Sequence, residues 1–211
     1  MDNAHRLILI GGGGHCKSCI EVVESTGRWE IAGILDTTSR TDETLLGYPF
    51  LGKDDRIGEL QEAGYSFLIA IGQMKSPTVR KGLFEKLQAQ GAPLPTIISP
   101  HARVSRHALL GPGTVVFHYS TVNAGATVGE NCIINTASHI EHEVWIGPHT
   151  HISTGALING NVRIGQGCFV GSGSILSNGV TVVDDVVIGA GSLVLGSISH
   201  RGTYVGVHKK I

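Results

Sequence analysis

Cysteine, aromatic residues and unbalanced charge are all scarce in this chain. Four cysteines in 211 residues are too few for a disulfide scaffold, so they are expected as free thiols. Sixteen Lys+Arg stand against 17 Asp+Glu, a net charge of -1. That balance excludes a protein that grips nucleic acid or an anionic membrane mainly by charge. No apolar run approaches the ~20 residues of a bilayer span, which excludes a transmembrane protein. Residues 7–10 form an aliphatic run of four, shorter than the ~7–15 residues of a signal-peptide core. A cytosolic location is therefore expected.

What is abundant is glycine, 30 residues against 5% aromatics, and the two halves of the chain differ. Residues 1–96 carry 22 of the 33 charged residues, whereas residues 97–211 carry 11 of them and 17 of the glycines. Charge-bearing helices followed by glycine-punctuated strands would give this split. It divides the chain into a domain over 1–96 and another over 97–211.

The second half repeats every six residues. From Val104 to Val194, sixteen consecutive positions spaced six apart are Val, Leu or Ile, with no insertion. Two residues before each stands a small or β-branched one, from Ala102 to Ser192. A strict hexad marks a parallel β-helix, and residues two apart on a strand share a face, so both series should point inward. Three hexads would close one triangular coil, giving a little over five coils and, at ~4.8 Å per rung, a prism roughly 25 Å tall. Glycines directly after the aliphatic position, as at Gly147, Gly165, Gly171 and Gly189, suggest the corners. Parallel crossovers are normally right-handed, and the spacing does not set the hand.

The first half alternates short apolar runs with helical spacing. Residues 7–10, 31–35 and 67–71 read as strands, residues 17–25 and 78–90 as helices. This predicts a parallel sheet with Rossmann-like winding. The first strand ends in Gly11, Gly12, Gly13, Gly14 and His15. Such a loop can present backbone N–H groups and a helix N-terminus to a pyrophosphate, although Cys16 stands where a third glycine or alanine is usual. Asp36, at the end of the second strand, is placed to read a ribose or base edge.

Together the halves resemble the sialic-acid O-acetyltransferase and UDP-amino-sugar N-acetyltransferase family (bacillosamine type) of hexapeptide-repeat acyltransferases. The shared residues include Gly11-Gly12-Gly13-Gly14-His15-Cys16-Lys17, Leu35-Asp36, Gly47-Tyr48-Pro49, Ser99-Pro100-His101-Ala102, Ile134-Asn135-Thr136, Ile140-Glu141-His142-Glu143, His149-Thr150-His151 and Tyr204-Val205-Gly206-Val207. The resemblance implies a left-handed β-helix that binds acetyl-CoA, an N-terminal domain that binds a nucleotide sugar, and a homotrimer with its active site between subunits. It also implies N-acetylation of a nucleotide-linked amino sugar, with sugar O-acetylation as the runner-up. His208-Lys209-Lys210 departs from the usual family ending.

Within the resemblance, His142 is the expected general base and Glu143 its orienting carboxylate, with Glu141 the weaker candidate. Imidazole titrates near neutrality, and an adjacent acid fixes its tautomer. Gly11, Gly12, Gly13, Gly14, His15, Asp36 and Asn135 are expected at the acceptor. His151 and the backbone N–H of Gly160 are expected at acetyl-CoA, the latter as an oxyanion donor. The bland readings are a solvated corner histidine, ladder residues and a plain turn. Cys16 and Cys19 form a C-x-x-C pair without a thioredoxin-like context, while Cys132 and Cys168 belong to the inward small series. His139, His149 and His151 keep a zinc enzyme of the γ-carbonic-anhydrase type as a remote alternative; no metal is expected.

Overall fold

A computed structural model describes residues 5–38 and 43–209. The N-terminal unit contains β1 (His5–Ile10), α1 (Gly14–Thr26), β2 (Trp29–Leu35), β3 (Thr44–Leu45), β4 (Tyr48–Gly52), α2 (Ile57–Glu62), β5 (Ser66–Ile69) and α3 (Thr78–Ala89). Its sheet has the order β3-β4-β2-β1-β5, parallel except for the β3/β4 hairpin. The hairpin and α2 were not expected from the sequence, because both are short and their apolar residues show no period. Helix α1 begins three residues earlier than its spacing predicts. Gly14 and His15, read as loop, already belong to its first turn.

Beyond residue 96 the chain winds through three flat parallel faces as a left-handed β-helix. The first face starts with Ile97–Ile98 and continues through Val115–Val116, Ile133–Ile134, His151–Ile152 and Phe169–Val170. The second face carries Thr121–Val122, His139–Ile140, Leu157–Ile158 and Ile175–Leu176; the third carries Thr127–Val128, Trp145–Ile146, Arg163–Ile164 and Thr181–Val182. Strands pair with partners 18 residues on, as Ile134 with Ile152 and Ile140 with Ile158. The hexad therefore gives the register. The aliphatic series from Val116 to Val194 lines one continuous core, and Val104 and Leu110 are half-buried at its open end.

The small inward series has a second use. The hydroxyls of Thr114, Ser120, Thr150 and Ser174 each donate to a carbonyl fifteen residues on. Polar side chains thus enter the core with their hydrogen-bonding capacity met, which removes the cost of burying them.

The corners differ from expectation. The left-handed residue comes three positions after the aliphatic one, in an unbroken series from Gly113 to Gly191 that includes Tyr119, Asn131, Glu143, His149 and Asn161. Glycine directly after the aliphatic residue answers a different need. A Cβ on Gly147 would lie 2.6 Å from the backbone nitrogen of Gln166, and one on Gly129 2.7 Å from that of Pro148. At those places the next coil passes too close for a side chain.

The N-terminal unit sits on the first face. Val115, Phe117 and Ile133 point outward there and pack with Leu7, Ile20 and Val23 from β1 and α1. Helix α3 adds polar fastening: the Arg80 guanidinium donates to the Asn131 side chain at 2.8 Å and to its carbonyl. All four cysteines are buried and free. Burial pushes the Cys16 thiol up to about 12, the reverse of what an attacking thiolate needs.

Candidate active site

The structure separates the sequence-derived residues into two groups. The first surrounds a cavity of about 660 Å³ at the carboxyl end of the N-terminal sheet, whose walls include Gly11, Gly13, Gly14, His15, Asp36 and His151. Strand β1 delivers the chain into the glycine loop, where Gly11 has φ +102 and only glycine is comfortable. Gly12 lies just behind the wall. Its N–H donates to Oδ2 of Asp36 at 2.8 Å, and a Cβ there would run into the Phe50 ring and lie 2.7 Å from the same Asp36 oxygen. Asp36 also accepts from the Thr38 N–H through Oδ1, so it shapes the loop while lining the cavity. Gly13 and Gly14 are open, with nothing within 4 Å of an added Cβ.

His151 belongs to this first group rather than to the surroundings of Gly160. It rises from the first face and is 6% exposed. Its Nδ1–H donates to the Gln73 carbonyl at 2.6 Å, which fixes the tautomer, and its Nε2 accepts from Nδ2 of Asn135 at 3.1 Å. Burial pulls its pKa down to about 4, with the Arg80 charge adding to the effect against the Gln73 hydrogen bond. His15 stands 6.4 Å away, ring to ring. Burial first, then Arg80 and His151, pull it down to about 3. Both imidazoles are therefore neutral at pH 7.

The second group lies at the corner between the second and third faces. His142 and Glu143 form its turn, with side chains 60% and 72% exposed. Glu143 Oε2 is 3.7 Å from His142 Nδ1, which is an electrostatic contact and not a hydrogen bond. Glu141 is otherwise engaged, accepting from Nδ2 of Asn123 at 2.9 Å. One coil on, Gly160 is buried beneath the imidazole. A Cβ there would stand 2.6 Å from both Cε1 and Nε2 of His142, so only glycine lets the ring settle against this backbone. The Gly160 N–H meets no acceptor among the described residues.

Sequence reasoning missed the polar seam between the two units. Gln73 donates from Nε2 to the Cys168 carbonyl at 3.2 Å, Asn131 reaches Nδ1 of His149 at 3.0 Å, and Arg80 closes on Asn131. One signal was available: Arg80, Phe84 and Leu87, the buried residues of α3, stand at i, i+4 and i+7, so a charged residue occupies the apolar stripe. His139 is exposed on the second face, away from His149 and His151, and no group of three potential metal ligands occurs among the described residues. Lys210 lies outside the described residues. No helix among them is long and apolar enough to cross a membrane.

Residues 6–87 match the PglD N-terminal domain family, and residues 161–195 the hexapeptide repeat of succinyl-transferase. UDP-N-acetylbacillosamine N-acetyltransferase of Bacillus subtilis is 33% identical over 110 residues, 51% of this chain and 49% of that protein, so the match spans about half the curated relative's length. The acetyltransferase domain of PglB from Neisseria gonorrhoeae is 31% identical over 97% of each chain, with a TM-score of 0.88, and its structure is also known with acetyl coenzyme A. PerB from Caulobacter crescentus, solved with CoA and GDP-perosamine, is 31% identical over 97% of this chain and 95% of its own, with a TM-score of 0.88. With both units matched in order and nearly end to end, the chain belongs to the family of hexapeptide-repeat sugar acetyltransferases that carry a PglD-type N-terminal domain.

Proposed function

We propose that this protein transfers the acetyl group of acetyl-CoA to the amine of a nucleotide-linked amino sugar. The observation that carries the reading is the His142 corner, where an exposed imidazole faces a carboxylate on its Nδ1 side and rests on a buried glycine with a spare N–H. The names of the aligned relatives support the acetyl donor and the amino-sugar acceptor. Residues 1–96 hold the nucleotide at the glycine-loop cavity. A cleft of about 640 Å³ on the third face, walled by Trp145, Arg163 and Arg201, starts in the coil of His142 and offers two guanidiniums to the phosphates of CoA.

In the reaction, Glu143 holds the proton of His142 on Nδ1 and leaves the Nε2 lone pair free. As the sugar amine forms its C–N bond with the thioester carbon, Nε2 takes the amine proton. The Gly160 N–H meets the oxyanion of the tetrahedral intermediate. Collapse breaks the C–S bond, and the CoA thiolate leaves and takes up the proton held on His142. Asn135 and His151, bonded to each other, place the sugar end of the acceptor and hold it without acting as bases.

One chain does not bring these parts together. The glycine-loop cavity sits on the first face, and the His142 corner joins the other two. With six residues per side at ~3.3 Å each, corner and opposite face are roughly 15 Å apart through the core. A sugar nucleotide in the cavity therefore meets the His142 of a neighbouring subunit, and the active unit is a homotrimer working in the cytosol. The test is acetyl-CoA turnover against UDP-, GDP- and CMP-linked amino sugars, with the oligomeric state measured alongside. No turnover with any amine acceptor, or full activity in a monomer, would overturn the reading.

A further inference from the structure

The cavity assigned above to a nucleoside diphosphate has an unexpected charge balance. Asp36 and Asp54 line it, and no Lys or Arg does among the described residues. Glycine-loop amides can hydrogen-bond a phosphate, and a cation within reach of it adds a longer-ranged attraction. A compensating cation stands directly behind the wall. Arg80 is 1% exposed. Its Nη1 donates to the carbonyls of Ile69 at 2.8 Å and Ile71 at 2.6 Å, and Ala70, Ile71 and Gly72 form that side of the cavity. Its Nη2 holds Asn131 across the seam, and its Nε has no partner. Among the described residues it meets carbonyls and an amide, and no carboxylate. A buried cation without an anion is costly, and a bound anion nearby would relieve that cost.

We infer that Arg80 is a positioning residue for the acceptor substrate, supplying through the cavity wall the positive charge that holds the diphosphate of the nucleotide sugar while fastening that wall to the β-helix. This rests on the reading of the cavity as the nucleotide site. The field of Arg80 already reaches the cavity, where it contributes to lowering both His15 and His151. In the low-dielectric interior such a charge is weakly screened. Burial pulls the guanidinium itself down to about 10, so it is charged at neutral pH.

The test measures UDP and GDP binding by calorimetry to wild-type protein, Arg80→Lys and Arg80→Met, with folding followed by thermal melts. The groups that face Arg80 are Cys19 of α1, Cys132 of the β-helix, and His15, His149 and His151 around the seam. Burial pushes the thiols up and holds the imidazoles down, so none changes charge between about pH 7 and about pH 9. Wild-type affinity should be flat across that range. Arg80→Met should bind the diphosphate about 10- to 100-fold more weakly. Arg80→Lys keeps a charge but cannot fork to two carbonyls. Its affinity should approach wild type near pH 7 and fall toward the Met value as the buried ammonium loses its proton. If Arg80→Met does not fold, the pH profile of Arg80→Lys decides alone. A Lys variant with a pH-independent loss, or a folded Met variant with unchanged affinity, would overturn the inference and leave Arg80 a fastener only. Wild-type protein that binds neither diphosphate would overturn the nucleotide reading itself.

Discussion

In the β-helix every coil meets the same problem in the same way. An aliphatic residue fills the core, a small one turns a hydroxyl or a methyl inward, and a left-handed residue makes the corner. In the N-terminal unit nothing repeats, and each helix and strand finds its own partners. The two regions also treat histidine differently. On the β-helix corner His142 is left in water beside a carboxylate. Where the units meet, His15 and His151 are desolvated and kept neutral. A repetitive scaffold can thus present an exposed side chain at a fixed height, because the coils above and below specify its position. An irregular seam can bury polar groups, because each has an individual partner.

The sharpest way to break this contrast is to attack the repeat. Ile152 is fully buried between coils, with Ile134 and Val170 as its neighbours in the stack. Ile152→Asp buries an unpaired carboxylate and should cost about 5 kcal/mol or more, leaving no soluble folded protein. Asn161→Asp, an exposed left-handed corner that Asp also tolerates, should stay within about 0.5 kcal/mol in denaturant titrations. Equal loss in both would refute the register.

The next effect separates chemistry from folding. His142 contributes nothing to the core, so His142→Ala should lower kcat by roughly 10²- to 10⁴-fold with an unchanged melting curve. A parallel fall in stability and turnover would make it a structural residue.

Acidification should act on the seam. The folded pKa values of His15 and His151, about 3 and about 4, lie below the unfolded value near 6.5. The unfolded chain therefore binds these protons first, and the stability they confer is present above about pH 6.5 and lost progressively as pH falls from there through the folded values. Between pH 7 and pH 5 the loss is about 2 kcal/mol per histidine. His151→Gln can still donate to the Gln73 carbonyl and accept from Asn135, so it should reduce the pH slope of urea midpoints. A slope unchanged by this substitution would locate the acid sensitivity elsewhere.

The sequence made the repeat legible because its signal is periodic: sixteen positions in one register predict face, pairing and burial at once. The His142 corner was readable from that register, being two residues past an inward Ile140. The partners of His151 were not, since Gln73 is 78 residues away and joins it through a backbone carbonyl, which no side-chain pattern records. Nor were the corners read correctly. Glycine serves two purposes along the β-helix, a left-handed turn and close coil stacking, and the letter alone does not separate them.

The smallest effect sharpens the boundary between loop architecture and ligand contact. Gly12 and Gly13 are adjacent in sequence and opposite in surroundings. An added methyl on Gly12 would strike Asp36 and Phe50, whereas one on Gly13 would meet no protein atom. Gly13 has φ -85, a conformation open to any residue, so Gly13→Ala carries no strain and should keep stability within about 0.5 kcal/mol. Its methyl would instead occupy the cavity wall where a phosphate approaches the backbone. The KM for the nucleotide sugar should rise several-fold, and that for acetyl-CoA, bound at the far corner, should not move. Gly12→Ala should destabilise the fold in the same assay, by displacing Asp36 from the loop it shapes. If Gly13→Ala instead raised the KM for acetyl-CoA and spared the sugar nucleotide, the two ligands would have to exchange places, and the glycine loop would belong to the donor.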